Sequence, residues 1–171
     1  DFASGKHGKA LRLNIGSTQN QYASFSQINH NYSFTKEAWI YPTSISGCGS
    51  ENRCSVIAPY FEVLSNLQYY DNQLSPPGWH TRGTINLNQW QHIAVTYTNN
   101  SLNFFINGIS VGSTTAYNNG SHYSNNIGAH SSNTRNFRGF IDEVKIYNYA
   151  RTQKQILEDM AGSPPPGSSA K

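Results

Sequence analysis

The stretch Trp90–Asn107, WQHIAVTYTNNSLNFFIN, indicates a β-hairpin around which the rest of the chain is organised. Ile93, Val95 and Tyr97 occupy every second position, which is the period of a strand with one buried face. The polar residues 98–101 then supply a turn. The apolar residues after this turn form the return strand, so the stretch predicts two antiparallel partners.

The hairpin extends into a meander, because Asn107-Gly108 tolerates the positive φ of a type I′ turn and precedes the strand-like run Ile109–Thr115. Similar short runs recur along the chain. The other predicted strands are Ala10–Ile15, Gln21–Gln27, Phe34–Tyr41 ending at Pro42, Ser55–Phe61 with Pro59 marking an edge or bulge, Leu64–Tyr70, Trp79–Thr81, Asn126–Gly128 and Phe137–Tyr147. Ala150–Met160 is the one helical candidate. The pattern predicts an all-β jelly-roll sandwich of two antiparallel sheets with one short C-terminal helix.

Composition limits the classes of protein to be considered. The chain has 171 residues, a formal charge of +3 and 12% charged residues, against about 25% in average soluble domains. This balance does not indicate a nucleic-acid partner, and no apolar run approaches the ~20 residues that membrane insertion requires. We expect one domain at 1–161 and a Pro/Gly/Ser-rich linker or artificial tail at 162–171, in a mature or excised module of a larger multidomain chain.

The two cysteines, Cys48 and Cys54, are separated by five residues. Such a spacing between two strand-like segments brings the Cα atoms within disulfide range, and there is no further Cys or nearby His pair to complete a metal site. We therefore predict a disulfide, which indicates an oxidising compartment and an extracellular or cell-surface location. Two unrelated surface thiols are the alternative.

Three segments carry a resemblance to a known family. They are NQWQHIAVTYTNNSLNFFINGISVG at 88–112, FTKEAWIYP at 34–42 and FRGFIDEVKIYNYARTQKQI at 137–156. Together they resemble the laminin-G-like domains of the concanavalin A-like lectin/glucanase superfamily, over nearly the whole chain. The resemblance implies the jelly roll and places Trp39 and Trp90 as structural residues of the core. It leaves function open, because the superfamily includes lectins, adhesion modules, calcium-binding spacers and glycosidases.

The carboxylates do not indicate catalysis. A glycosidase needs two of them on one surface, about 5 to 9.5 Å apart. The superfamily's glucanases use a Glu-X-Asp-X-X-Glu type of motif, which this chain lacks. Asp142 and Glu143 are adjacent, so a regular strand would send them to opposite faces, and Glu37 has no acidic neighbour in sequence. We expect no enzyme activity.

Carbohydrate recognition is the next class to consider. Sugars bind to aromatic rings through their C–H faces, while Asn, Asp, Gln or His side chains supply directional hydrogen bonds. Several such residues flank the predicted loops, and they could converge on one rim. The candidate ligand-binding residues are Trp79, His80, Tyr70, Tyr123 and His130. Tyrosine is also a common strand residue, and one of the pair Tyr69 and Tyr70 must face the core.

Asp142 suggests a structural calcium ion. On a regular strand it would share a face with Phe140, Val144 and Ile146, and a buried carboxylate needs a partner. The segment GFIDEVKIYN at 139–148 resembles the superfamily's last strand, where the matching Asp often ligates calcium with backbone carbonyls. Calcium accepts six to eight oxygen ligands, so Asp142 would need further donors. Here those carbonyls would come from Asn14–Ser17 and from Ser46-Gly47. The alternative is that Asp142 accepts backbone N–H groups or pairs with an Arg such as Arg12.

These observations favour a non-catalytic extracellular binding or adhesion module that recognises a glycan through a concave sheet face or rim loops. The alternative is a structural or protein-interaction module of a larger surface or secreted protein, whose ligand is an extracellular protein. No residue pattern in the chain separates the two.

Overall fold

The protein is an antiparallel β-sandwich with one short helix. The computed structural model describes residues 1–15, 21–30, 32–48, 52–71, 74–75, 78–118, 122–130 and 134–162. The predicted tail at 162–171 therefore falls almost entirely outside the described residues, as does the predicted turn at 16–20.

Fifteen strands and one helix make up the described part of the chain. Their bounds are β1 Phe2–Ser4, β2 Lys9–Leu13, β3 Ala23–His30, β4 Phe34–Ser44, β5 Cys54–Ala58, β6 Phe61–Val63, β7 Leu67–Asp71, β8 Leu74–Ser75, β9 Gly78–Arg82, β10 Gln91–Thr98, β11 Ser101–Ile106, β12 Ile109–Thr115, β13 Tyr117–Asn118, β14 His122–Ile127, β15 Arg138–Tyr147 and α1 Gln153–Met160.

Two large sheets form the sandwich. The seven-stranded sheet has the order β1-β2-β15-β4-β10-β11-β12, and the six-stranded sheet has the order β3-β14-β5-β6-β7-β9. The predicted hairpin is confirmed, with Ile93 opposite Ile106 and Thr98 opposite Ser101. All these pairings are antiparallel, and the jelly-roll sandwich predicted from the sequence is the observed fold.

The core between the sheets includes a stack of aromatic rings and a buried lysine. Phe34 stacks on Tyr69 and Tyr97, with ring centroids 5.5 and 5.6 Å apart. Lys36 is fully buried on the same face of β4 as Phe34, and its Nζ donates to the carbonyl oxygen of Pro59 at 2.8 Å. Because a buried ammonium needs acceptors, this bond ties the seven-stranded sheet to the turn after β5.

Two prolines bear on the predicted strand limits. Pro42 does not end its strand, because β4 continues to Ser44 with Pro42 opposite Gly139 beside a register shift in β15. The irregular pairing accommodates a residue that has no N–H to donate. Pro59, by contrast, falls between β5 and β6, and the predicted bulge is found between Ser55 and Ile57.

The helix lies against the seven-stranded sheet on the side away from the core, where Ile156 packs with Ala94 and Phe105. It starts at Gln153, three residues later than predicted, because Thr152 is its N-cap. The Thr152 hydroxyl accepts from the Gln155 N–H, and the Gln155 side chain accepts from the Thr152 N–H at 2.9 Å. This capping box satisfies two N–H groups at the start of the helix.

The disulfide between Cys48 and Cys54 is confirmed, with Cα atoms 5.0 Å apart. Both cysteines are fully buried in the core cluster, next to residues such as Val56 and Val63. The bond therefore anchors the start of β5 and the loop before it to the interior.

We expect the double substitution Cys48→Ala and Cys54→Ala to lower the free energy of unfolding by about 2 kcal/mol, because a short closed loop removes only modest chain entropy. Urea denaturation of the variant and the oxidised wild type measures the difference. A variant that does not fold would contradict this estimate.

Candidate functional site

Strand register brings a row of polar residues and a row of aromatic residues to the outer face of the six-stranded sheet. Ser55 lies opposite Glu62, and Glu62 lies opposite Gln68. Two residues further along β7, Tyr70 lies opposite Trp79. Because alternate strand residues point the same way, both rows face away from the core that Tyr69 and its neighbours fill.

The aromatic row extends into a connected cluster. The Tyr70 and Trp79 ring centroids are 4.9 Å apart, Tyr60 and Tyr70 are 5.1 Å apart, and Tyr60 and His130 are 5.4 Å apart. All four side chains are half-buried. With Arg53 and Arg135 they form what we call the aromatic–arginine face.

Tyr60 joins this face through an unusual backbone conformation. Its φ is 100°, a value that a residue with a Cβ rarely adopts. Both neighbouring peptide groups are held, since Lys36 Nζ donates to Pro59 O and the Tyr70 N–H donates to Tyr60 O at 3.1 Å. Strain that the surrounding structure maintains is frequent at functional sites, so Tyr60 is a further candidate ligand contact.

Two guanidinium groups approach the Trp79 ring. The Cζ atoms of Arg53 and Arg135 lie 4.0 and 5.2 Å from its centroid. Arg53 Nε donates to Gln68 Oε1 at 3.2 Å, and Arg135 Nη1 pairs with Glu62 Oε1 at 3.1 Å. Cation–π attraction and these bonds hold both cations over the polar row.

The polar row lies beneath these cations and is buried. Glu62 is fully buried and Gln68 is 3% exposed, while Arg135 keeps a quarter of its side chain accessible. His130 is at the edge of the face, where burial and the Arg135 charge lower its pKa. A neutral imidazole can both donate and accept a hydrogen bond, so the face offers aromatic, cationic and neutral polar groups to a ligand.

The structure brings together three of the five residues that the sequence suggested as ligand contacts, namely Trp79, Tyr70 and His130. His80 does not join them, because it lies opposite Tyr69 and shares the core-facing side of the sheet. Tyr123 lies on β14, and none of the described ring contacts joins it to the cluster; its carbonyl oxygen accepts from Lys36 Nζ at 3.4 Å.

The residues that sequence analysis missed are Tyr60, Arg53, Arg135, Glu62 and Gln68. Glu62 carried a weak signal, since it is a polar residue between apolar Phe61 and Val63. Arg53 and Arg135 had no recognisable signal in the sequence, because their contact with Trp79 depends on how distant segments fold.

A second aromatic group lies on the outer face of the seven-stranded sheet. Tyr41, Trp90 and Phe140 are half-buried, and the centroid of Tyr41 is 5.7 Å from Trp90 and 5.8 Å from Phe140. Trp90 is therefore not in the core, contrary to the prediction. Trp39 is 7% exposed, but it too lies on this outer side, where Lys6 Nζ is 4.7 Å from its ring.

Two carboxyl groups that are far apart in sequence, those of Glu37 and Asp159, meet under the helix. Glu37 is fully buried and Asp159 is 1% exposed. Arg151 Nε donates to Asp159 Oδ2 at 2.7 Å, and Lys145 Nζ donates to the Asp159 carbonyl oxygen at 2.9 Å. Burial, followed by the Asp159 charge, raises the pKa of Glu37 to about 9. This pair is enclosed by protein, which suits a structural role better than hydrolysis of a polysaccharide.

Asp142 does not share a face with Val144 and Ile146. Asp142 pairs with Trp39 and Lys145 with Glu37, so β15 contains one extra residue between them. Glu143 has a φ of 48° at this bulge. The bulge returns the later apolar residues to the core, while Asp142 faces outward beneath the N-terminal segment.

The contacts of Asp142 match the backbone N–H alternative. His7 N donates to Oδ2 and Glu143 N donates to Oδ1, both at 2.9 Å. Of the suggested carbonyl segments, the described residues Asn14, Ile15, Ser46 and Gly47 lie beyond the Arg138 end of β15, where Leu13 pairs with Gly139, roughly 10 Å from Asp142 by strand rise. Within the described ranges no group of three or more His, Cys, Asp or Glu residues could hold a metal ion. The described surroundings do not fit a calcium site on their own.

Calcium therefore stays a prediction, and a chelator tests it. If calcium binds only the folded form, chelation must lower the melting temperature of the wild type by mass action, with a smaller change in Asp142→Ala. Equal melting temperatures with and without chelator, together with no calcium in elemental analysis, would rule out the ion.

The comparison with protein families identifies the class of this chain. Residues 16–157 match the family model Laminin_G_3, described as the concanavalin A-like lectin/glucanases superfamily. The match covers most of the chain, so the protein belongs to this family. No curated protein sequence matches the chain.

Solved structures of similar fold include one domain solved with a sugar, one binding domain and one protein described as carbohydrate binding. Domain 4 of AbnA, an extracellular arabinanase from Geobacillus stearothermophilus solved with arabinotriose, is 22% identical with a TM-score of 0.67, covering 93% of this chain and 80% of that one. The binding domain of Paraclostridial Mosquitocidal Protein 1 is 16% identical with a TM-score of 0.62, covering 95% and 45%. A putative carbohydrate binding protein from Bacteroides ovatus is 17% identical with a TM-score of 0.58, covering 84% and 47%. This chain thus spans less than half of the last two proteins, and these identities establish the fold alone.

The helix of the described structure is too short to cross a membrane.

Proposed function

We propose that the chain is a non-catalytic, extracellular carbohydrate-binding module whose ligand lies on the aromatic–arginine face. The single observation that carries the proposal is the connected cluster of Tyr60, Tyr70, Trp79 and His130 over a buried polar row. Pyranose and furanose rings expose C–H groups that pack on aromatic rings and hydroxyls that need directed partners. The cluster supplies both kinds of contact on one surface.

Three further findings support the proposal. The peptide groups on both sides of Tyr60 accept hydrogen bonds, so the backbone that carries its ring is held before a ligand arrives. Preorganised contacts lose less conformational entropy on binding. The AbnA domain was solved with a sugar, which makes sugar binding a known use of this fold in that protein. The Cys48–Cys54 disulfide is consistent with a secreted protein, because disulfides form and persist in oxidising environments.

We expect Trp79→Ala to reduce affinity for a bound polysaccharide at least tenfold, because truncating a central tryptophan that acts as a binding hot spot costs about 2 kcal/mol or more. Affinity electrophoresis against a panel of soluble plant and bacterial polysaccharides identifies the ligand and measures the change.

Trp90→Ala is the matched control. Trp90 is also half-buried, but it lies on the outer face of the opposite sheet with Tyr41 and Phe140. We expect its affinity to equal that of the wild type. Loss of binding in Trp90→Ala with full binding in Trp79→Ala would move the site to the seven-stranded sheet.

A protein-interaction module is the second candidate. The Tyr41, Trp90 and Phe140 group favours it, since aromatic residues are enriched in protein interfaces. Failure to bind any polysaccharide in the panel, combined with capture of an extracellular protein that Trp90→Ala abolishes, would support this function in place of the first.

A further inference from the structure

We propose that the aromatic–arginine face binds a single polysaccharide chain that bends between successive sugars, rather than the flat surface of a crystalline polysaccharide. This inference rests on the proposed function and specifies the class of ligand for the same site. Crystalline cellulose and chitin are the flat surfaces in question, because their chains lie side by side with the sugar rings nearly coplanar. A soluble chain is free to follow a bent path.

Neighbouring rings of the aromatic cluster are inclined to each other. The angle between ring planes is 67° for Tyr60 and Tyr70, 41° for Tyr70 and Trp79, and 45° for Tyr60 and His130. A sugar packs on an aromatic ring through the C–H groups of one face. A flat array of sugars can therefore lie parallel to only one ring of each pair, whereas a bent chain can turn from one ring plane to the next.

The backbone explains these inclinations. Tyr70 and Trp79 lie opposite each other on β7 and β9, and adjacent strands of a sheet are rotated by roughly 20 to 25° relative to each other. Side chains in a row across the strands follow this twist. Tyr60 adds a further change of direction, because it lies in the turn between β5 and β6 with a φ of 100°. The bend in the binding surface is thus a property of the fold.

The Trp79 ring cannot act as a platform with two open faces. The Arg53 guanidinium lies against it, with the Cζ atom 4.0 Å from the ring centroid. The indole therefore offers a ligand at most its other face. The next aromatic contact has to come from Tyr70, whose ring is inclined at 41°, so a ligand that touches both rings changes direction between them.

The aromatic group on the opposite outer face is not flat either. Tyr41 is inclined at 64° to Trp90 and at 76° to Phe140, and Trp90 is inclined at 46° to Phe140. A nearly parallel pair occurs in the core, where Phe34 is inclined at 21° to Tyr97. Among the described ring contacts, neither outer face therefore provides a flat pair.

The experiment compares crystalline with soluble polysaccharides. Microcrystalline cellulose and crystalline chitin are sedimented with the protein, and the soluble polysaccharides of the panel are tested by affinity electrophoresis. We expect at least one soluble polysaccharide to bind the wild type about tenfold or more tightly than it binds Trp79→Ala. On both crystalline polymers, we expect the wild type to be retained no more than Trp79→Ala.

Tyr60→Leu tests whether the ligand turns from one ring plane to another, because it removes the ring inclined to Tyr70 and keeps an apolar side chain. A bent chain that contacts both planes loses affinity in this variant as well as in Trp79→Ala, and we expect a loss of about threefold to tenfold. Tyr41→Leu is the matched control, since Tyr41 lies in the aromatic group of the other sheet, and it should bind like the wild type. Melting curves show that each variant is folded at the temperature of the measurement.

Retention of the wild type on either crystalline polymer, lost in Trp79→Ala, would overturn this inference and leave the proposed function standing. Full affinity of Tyr60→Leu for a chain that Trp79→Ala no longer binds would also overturn it, because the ligand would then lie on one ring plane. Binding of no polysaccharide, soluble or crystalline, would count against both proposals.

Discussion

Asp159→Ala is expected to destabilise the protein by about 3 to 5 kcal/mol, the usual effect of removing one partner from a buried ion pair. Arg151 and Asp159 side chains are each 1% exposed, and Arg151 Nε donates to Asp159 Oδ2 at 2.7 Å. Lys145 Nζ is 3.6 Å from Asp159 Oδ1. Without the Asp159 carboxylate, Arg151 and Lys145 would remain between the helix and the sheet without their ionised partner.

Urea denaturation at neutral pH measures this effect. Glu158→Ala is the control, because Glu158 is the preceding residue on the same helix and is half-buried. We expect it to change stability by less than about 1 kcal/mol, as surface substitutions usually do. Similar unfolding free energies for the two variants would show that the ion pair does not hold the helix on the sheet.

Glu37 is expected to make the protein less stable as pH rises above neutrality. Its pKa is raised from 4.5 to about 9, mainly by burial and then by the Asp159 charge. The unfolded chain therefore releases the Glu37 proton at lower pH than the folded protein does. The contribution of the Glu37 proton to the free energy of unfolding is complete below pH 4.5 and is lost progressively up to about pH 9.

Within this window each pH unit lowers the unfolding free energy by about 1.4 kcal/mol if Glu37 alone titrates. The slope due to Glu37 is best measured between pH 7 and 9. At lower pH, His92 contributes with the opposite sign, because burial and Lys145 lower its pKa to about 4.

Glu37→Gln removes the titrating proton but keeps a group that can donate to Asp159. We expect the unfolding free energy of this variant to be nearly constant from pH 7 to 9, while that of the wild type falls by up to about 3 kcal/mol. Glu143→Gln, at a half-buried carboxylate on β15, should retain the slope of the wild type. Parallel curves for wild type and Glu37→Gln would contradict the assignment.

The elements that local patterns encode could be predicted. The hairpin at Trp90–Asn107 follows from alternation and turn residues, and Ile109–Thr115 is observed with the predicted bounds. Tyr70 and Trp79 lie opposite each other because β7 and β9, which are close in sequence, pair antiparallel. This local pairing explains why part of the candidate site was accessible from the sequence.

The parts that depend on backbone irregularities could not be predicted. Strict alternation put Asp142 on the face of Val144, but a bulge with Glu143 at a φ of 48° reverses the later residues. Tyr60 enters the cluster through a φ of 100° that its residue type does not suggest. Arg53 and Arg135 are 82 positions apart in sequence, so only the folded chain brings both to Trp79.

Hydrogen exchange of the protein with and without its bound oligosaccharide tests the location of the site most directly. Ligand contacts slow the opening of the backbone that carries them, so the account predicts added protection in β6, β7 and β9 and around Arg53 and His130. Amides of β4, β10 and β15 should exchange at unchanged rates. Protection confined to the strands that carry Tyr41, Trp90 and Phe140, with none around Trp79, would contradict the account.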